Sequence, residues 1–306
     1  RPPDGGTRKS RRDGAPGQPT REKTDMTYRT LMLLLDPNGD NRAVLAVGAS
    51  LARRFGASVI GLAAVRPPPP MIDGGSYGGA LMLAEAAAVD LTQAERDLAA
   101  CGNQFRAALK DCTQELEWRG SVVPEALAVH VADQCRGADL IITSPTPPAS
   151  ILEPESRVNV GALAIRAGRP ILVVPRGTTD LALSNVLAAF KDTREARRAM
   201  ADALPLLLEA QTAVVLEIAR DDEVRDAQRH VDDVARWLAR HGVHALPEAL
   251  AAGTSESGAL AREIRERKPD LIVAGAYGHN RMNEWIFGGI TRDILLESGC
   301  CILMSH

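Results

Sequence analysis

Two kinds of apolar pattern alternate along the chain. Short continuous apolar runs lie at 30–36, 57–65, 138–144 and 170–175, with a weaker one at 115–122. They read as strands buried on both faces. A second series falls at 185–191, 212–219, 243–250, 270–276 and 300–305. Between the runs, apolar residues recur at helical spacing. Val44, Val47, Leu51 and Phe55 mark one face of a helix over 41–55, with Gly56 as its stop. Residues 84–110 and 124–136 are helical by composition and spacing. Val224, Ala227, Val231, Val234 and Leu238 line a helix over 221–241 that is charged on its other face and ended by Gly242. A further helix runs from about 255 to 267 and stops before Pro269. Buried strands alternating with amphipathic helices imply right-handed crossovers and a parallel sheet. The expected fold class is α/β, as two tandem five-stranded parallel-sheet units of Rossmann-like type. Ligands of such sheets bind beyond the carboxyl ends of the strands, where strand order reverses.

The tandem arrangement rests on an internal repeat. Residues 270–276, Asp-Leu-Ile-Val-Ala-Gly-Ala, echo residues 139–145, Asp-Leu-Ile-Ile-Thr-Ser-Pro, at an offset of 131. The same offset aligns Ile302 and Leu303 with Ile171 and Leu172, and Gly299 with Gly168, each glycine closing a helix-like run. Near the start of each unit, Leu33-Leu34-Leu35-Asp36 resembles Ala188-Ala189-Phe190-Lys191-Asp192 when the aspartates are aligned, at an offset of 156. The 25-residue difference implies extra chain around 67–110 of the first unit. The expected organisation is a tail or upstream extension over 1–25, a first unit over 26–178 and a second over 179–306.

Composition narrows the function classes. The chain has 306 residues, 45% hydrophobic and 25% charged, with a net charge of −3 and only 3% aromatics. That balance argues against non-specific nucleic-acid binding and against a stacking platform for single strands. Residues 1–25 are rich in charge, poor in apolar residues, and lack the apolar core of a signal peptide. No apolar run is long enough to span a membrane. Cys101, Cys112, Cys135, Cys300 and Cys301 include no CxxC pair and fit reduced, buried thiols in a cytoplasmic chain. Cys300 and Cys301 should point to opposite faces of a strand.

The chemistry is concentrated in one stretch after the fourth strand of the second unit. Gly275 and Gly278 stand at the strand's carboxyl end; Gly288 and Gly289 stand where the last helix should begin. Glycines there let backbone approach an anion, and helix N–H groups favour negative charge. The intervening residues carry His279 and Arg281, both suitable phosphate partners.

The stretch resembles the nucleotide-binding pattern G-x2-G-x9-G-(S/T) of the universal stress protein family. Gly275, Gly278 and Gly288 match its spacing, whereas Gly289 replaces the usual hydroxyl residue and Thr291 lies two positions on. The resemblance covers 27–306 as two copies. It implies a small adenine nucleotide, ATP above all, held in the second copy: Asp192 toward the adenosine part, Gly275 beside the ribose, and Gly278, Gly288, Gly289 and Ile290 over the phosphates. His279 and Arg281 are weaker candidates. It also implies a role in stress response or regulation, and pairing of copies through their fifth strands, 170–175 and 301–305. One chain then forms an internal pseudo-dimer, and a dimer of chains is a further option. The first copy departs from the pattern, with Ser144, Pro147, Arg157 and Val158 at the four glycine positions. It is expected to be degenerate.

Simpler readings accompany these. Asp192 suits a helix N-cap as well as a nucleotide, and Asp36 in Asp36-Pro37-Asn38-Gly39 reads as a turn. Gly74–Gly79 reads as a loop without the Lys-Ser/Thr of a P-loop. His230 and His241 read as solvent-exposed, and His130, His230, His241 and His244 show no metal-ligand spacing. No nucleophile, base and orienter set is visible along the sequence, and carboxylates to hold Mg²⁺ are not obvious. The expectation is therefore binding, with at most slow ATP hydrolysis. The alternative is a stress protein that binds no nucleotide and acts through protein contacts, a reading that Gly289 favours.

Overall fold

The computed structural model describes residues 27–67, 77–113, 115–145, 157–276 and 299–306. The first half contributes β1 (Thr30–Leu34), β2 (Ser58–Val65), β3 (Leu116–Val122), β4 (Leu140–Thr143) and β5 (Ile171–Val173). The second contributes β6 (Asn185–Ala189), β7 (Thr212–Ala219), β8 (Ala245–Ala251), β9 (Leu271–Gly275) and β10 (Cys301–Ser305). All ten form one sheet in the order β3-β2-β1-β4-β5-β10-β9-β6-β7-β8. Neighbours are parallel within each half, and β5 meets β10 antiparallel, with Leu172 opposite Leu303. The pairing of fifth strands is thus present inside one chain.

Among the described residues the helices are α1 (Arg42–Phe55), α2 (Tyr77–Leu109), α3 (Leu127–Gln134), α4 (Val160–Ala167), α5 (Arg194–Asp202), α6 (Leu204–Leu207), α7 (Val224–Arg240) and α8 (Glu256–Arg267). Their ends follow local chemistry. Asn159, Thr193 and Ser255 cap α4, α5 and α8 by accepting from the N–H three residues on. Gly56 closes α1 in the left-handed region. Helix α2 begins at Tyr77 rather than near 84, so Gly78 and Gly79 belong to the helix and not to the loop expected over 74–79. The short α6 has no counterpart in the sequence pattern; Pro205 sits in its first turn, where a missing N–H costs nothing.

Alternation along the buried strands divides the core into two layers. Leu31 and Leu33 face one layer, Met32 and Leu34 the other. Cys301 and Cys300 likewise go to opposite layers, and burial raises both thiols, Cys301 to about 12. None of the five cysteines is in a disulfide. Each layer draws residues from both halves, so the two units share one core. Polar contacts add to the junction: Tyr28 donates to the Asp202 carbonyl at 2.6 Å, Ser50 to Asp180 at 2.5 Å, and Arg54 to the Leu181 carbonyl at 3.1 Å.

The repeat is visible as chemistry. Asp139 Oδ2 accepts from the backbone N–H of Arg29 and Thr30 at 2.8 and 2.9 Å. Asp270 Oδ2 accepts from Ser184 and Asn185 at 2.6 and 2.9 Å. In each half this carboxylate ties the start of the fourth strand to the start of the first. Gly168 and Gly299 both take positive φ, +58° and +64°. No described helix is long and apolar enough to cross a membrane.

Candidate functional site

The strand order reverses between β6 and β9 in the second half and between β1 and β4 in the first. Their carboxyl ends are where a ligand of this fold is sought. In the second half β9 ends at Gly275, and a Cβ there would lie 2.5 Å from the Ala196 backbone nitrogen and 2.7 Å from the Glu195 carbonyl carbon. The glycine is thus required by the first turn of α5, which rests against the end of β9. Of the remaining predicted residues, Asp192 is described; Gly278, His279, Arg281, Gly288, Gly289, Ile290 and Thr291 lie outside the described residues.

Register corrects the alignment at the first strand. Leu31 pairs with Leu140 and Val186 with Leu271, so β1 and β6 are related by an offset of 155, not 156. Lys191 therefore stands where Asp36 does, and Asp192 lies one residue further on. The Lys191 ammonium reaches the Ile218 carbonyl at 3.1 Å and Glu256 at 3.5 Å. Asp192 is not the cap of α5, a role Thr193 takes; it pairs with Arg197 at 2.8 Å.

Beside that pair runs a groove of about 510 Å³ between α5 and α7. Phe190, Met200, Val234 and Trp237 form its apolar walls; Asp192, Arg197, His230 and Asp233 supply its polar groups. Behind it, Glu217 on β7 is 3% exposed and contacts His230 Nδ1 at 3.2 Å. Burial raises the Glu217 carboxyl above its usual range, and the bond to His230 opposes that shift. His230 and His241 are thus half-buried rather than solvent-exposed; His241 stacks on Trp237 with ring centroids 4.6 Å apart.

The first half is closed at its switch point. Arg157 Nε meets Asp36 Oδ2 at 2.9 Å across the place expected for phosphate. A cavity of about 50 Å³ remains, lined by Thr143, Ser144, Val158 and Arg176 among others. Asp36 also organises its own turn, accepting from Asn38 N–H at 3.0 Å and, through its carbonyl, from Asn41 Nδ2 at 2.8 Å.

One arrangement escaped the sequence reading. Ser121 Oγ lies 3.0 Å from His130 Nε2, and His130 Nδ1 lies 2.9 Å from Glu125 Oε1. Ser121 is the next-to-last residue of the edge strand β3, Glu125 lies in the connection, and His130 is on α3. The Glu125 carboxyl is held below its usual range by its own backbone N–H and by His130. Among the described residues no group of three or more His, Cys, Asp and Glu side chains could hold a metal.

No protein-family model and no curated protein sequence matches the chain. Solved structures do. A universal stress protein from Archaeoglobus fulgidus is 13% identical, with a TM-score of 0.61 over 90% of this chain and 95% of that one. A candidate universal stress protein from Pseudomonas aeruginosa UCBPP-PA14 is 13% identical, with a TM-score of 0.53 over 92% and 94%. A protein of unknown function from Pseudomonas aeruginosa PAO1 is 14% identical, with a TM-score of 0.52 over 92% and 93%. At these identities the likeness is one of fold, and it spans both halves of each chain. The chain has the fold of universal stress proteins, built twice and joined through its fifth strands.

Proposed function

We propose that the chain acts as a universal stress protein that binds ATP or a related adenine nucleotide at the carboxyl ends of β6 and β9, and that the bound state regulates a stress response. The observation that carries the reading is Gly275, the first glycine of the G-x2-G-x9-G spacing. It stands at the end of β9, against the N-terminal turn of α5 and on the switch point of the second half. Lys191 adds a cation to the same sheet end. The backbone N–H groups of Gly278, Gly288, Gly289 and Ile290 are assigned to the phosphates, with His279, Arg281 and Thr291 as side-chain partners. Asp192 and Gly275 face the nucleoside part. Binding rather than turnover is the expected activity, as befits a phosphate cradle built from backbone N–H groups.

The test is extraction of the purified protein for adenine nucleotide, followed by calorimetry with ATP. One nucleotide per chain is expected in the wild type. Gly278→Val should abolish uptake, because its side chain would occupy the volume given to phosphate. Absence of both co-purifying nucleotide and ATP binding heat in the wild type would leave the protein-contact reading in its place.

A further inference from the structure

We propose that Ser121, His130 and Glu125 form a second site, in the half that has lost the nucleotide pattern, which cleaves esters of short apolar acids. The three side chains make one hydrogen-bonded chain, Ser121 Oγ to His130 Nε2 at 3.0 Å and His130 Nδ1 to Glu125 Oε1 at 2.9 Å. A carboxylate only accepts, so Glu125 fixes the imidazole proton on Nδ1. Nε2 is left with the lone pair that accepts from the serine hydroxyl. That is the order nucleophile, base, orienter required to make a hydroxyl reactive. The matched positions of the second half differ: Leu250 stands at the position of Ser121 by strand register, and Ala261 at that of His130 by the offset of 131. A general structural need of the fold therefore does not explain the three residues.

The surroundings define the substrate. Ser121 is half-buried and pairs with Ala64 on β2, so both side chains lie on one face of the sheet. Ala64, Val123 and Leu127 form a small apolar cluster there, with Val158 against it. Ala64, Leu127 and Val158 also line the small cavity at the Arg157–Asp36 pair. An acyl group of a few carbons fits this wall. Strand β3 is the sheet's edge, and its ladder directs the N–H of Val123 to Val65. The alternate N–H of Val122 is directed outward, beside the serine, as the donor for a carbonyl oxygen that becomes negative. One such donor suits an ester, whose alkoxide leaves readily, better than an amide.

The step balances with water as the only co-reactant. Ser121 Oγ bonds to the ester carbonyl carbon as its proton passes to His130 Nε2. The carbon–oxygen bond to the alcohol breaks, and His130 returns the proton to the departing oxygen. Water then attacks the acyl-serine by the same route, releasing the acid and restoring the hydroxyl. Ser121 and His130 touch the reacting atoms; Glu125 is a positioning residue.

The full-length protein is treated with a fluorophosphonate, whose phosphorus bonds to an activated serine with loss of fluoride, and the adduct is mapped by mass spectrometry. p-Nitrophenyl acetate hydrolysis is followed in parallel. The expected result is an adduct on Ser121, absent in Ser121→Ala, with labelling and hydrolysis slowed about 100-fold or more in His130→Ala. Glu125→Gln should slow labelling roughly tenfold and Glu125→Asp should recover most of it, a pattern that loss of structure does not give. These carboxylate variants decide the matter if His130→Ala does not fold. An unlabelled Ser121, or labelling at a rate indifferent to His130 and Glu125, overturns the proposal. Neither readout involves ATP, so its outcome is independent of nucleotide binding.

Discussion

The two halves share strand order, register, a fourth-strand carboxylate clamp and a glycine turn before the fifth strand, yet they place polar groups on opposite sides of the sheet. The first half has Ala63 buried on β2; the second has Glu217 at the equivalent position of β7, paired with His230 over the α5–α7 groove. The second half has Leu250 packed against its core; the first has Ser121, joined to His130 and Glu125. At the switch point itself, Arg157 and Asp36 close the first half while Gly275 is kept at the end of β9. Backbone hydrogen bonding and apolar burial hold the repeat, and these constrain only alternate positions. The halves diverge at Ser121 on the edge strand β3, at Glu217 on β7 next to the other edge, and in the helix residues that face them.

The sharpest way to break this comparison is at matched positions, Gly275 and Ser144. Gly275→Ala would drive a Cβ into the Ala196 backbone, which cannot swing aside as a side-chain tip can. A loss of about 1–3 kcal/mol is expected, from overpacking of a rigid contact. Ser144→Ala, at the half-buried end of β4, should change stability by less than about 0.5 kcal/mol. Urea unfolding of both variants measures the difference. Equal effects would mean that the first turn of α5 shifts easily and that Gly275 is retained for another reason.

A smaller effect separates Glu217 from Ala63. Burial raises the folded-state Glu217 carboxyl above its unfolded value, although His230 and Lys191 act against that shift and Asp192 with it. The folded state then holds this proton more tightly than the unfolded state. Its contribution to stability is full below the ordinary carboxylate range and declines as pH rises through the raised folded value. Glu217→Gln removes that component and leaves a hydrogen-bond acceptor for His230. Urea midpoints over a pH series should fall less steeply above the carboxylate range in the variant than in the wild type. Parallel curves would show that His230 compensates the burial of Glu217 in full.

Most of the architecture was legible because it follows from patterns that one sequence displays. Continuous runs such as Leu271–Gly275 are buried on both faces, and Asp139 and Asp270 mark the repeat in the same role. What was not legible depended on register or on the turning of a helix. Aligning Asp36 with Asp192 ignored the single residue by which Lys191 intervenes, and only strand pairing reveals it. Ser121, Glu125 and His130 lie within one strand–helix connection, so a signal was present. It required knowing that β3 ends at Val122 and that α3 turns His130 back over that end. The early start of helix α2 was not legible because Gly78 and Gly79 read as loop residues, whereas a long helix tolerates them near its start. Of the predicted nucleotide site, Asp192 and Gly275 fall among the described residues.

The smallest expected effect tests what closed the first half. Arg157 and Asp36 are partly exposed, with side chains 39% and 23% accessible, so their ion pair is well screened. Arg157→Ala should therefore change stability by less than about 0.5 kcal/mol. It would also enlarge the cavity by the volume of the guanidinium. If closure depended on that side chain alone, the variant would take up a second nucleotide. Pro147 and Val158 stand at two further positions of the glycine pattern, however, and proline carries no N–H to offer an anion. Calorimetry of Arg157→Ala with ATP should still give one site per chain, at the affinity of the wild type. Two sites would show that a single ion pair, and not the lost backbone donors, separates the halves.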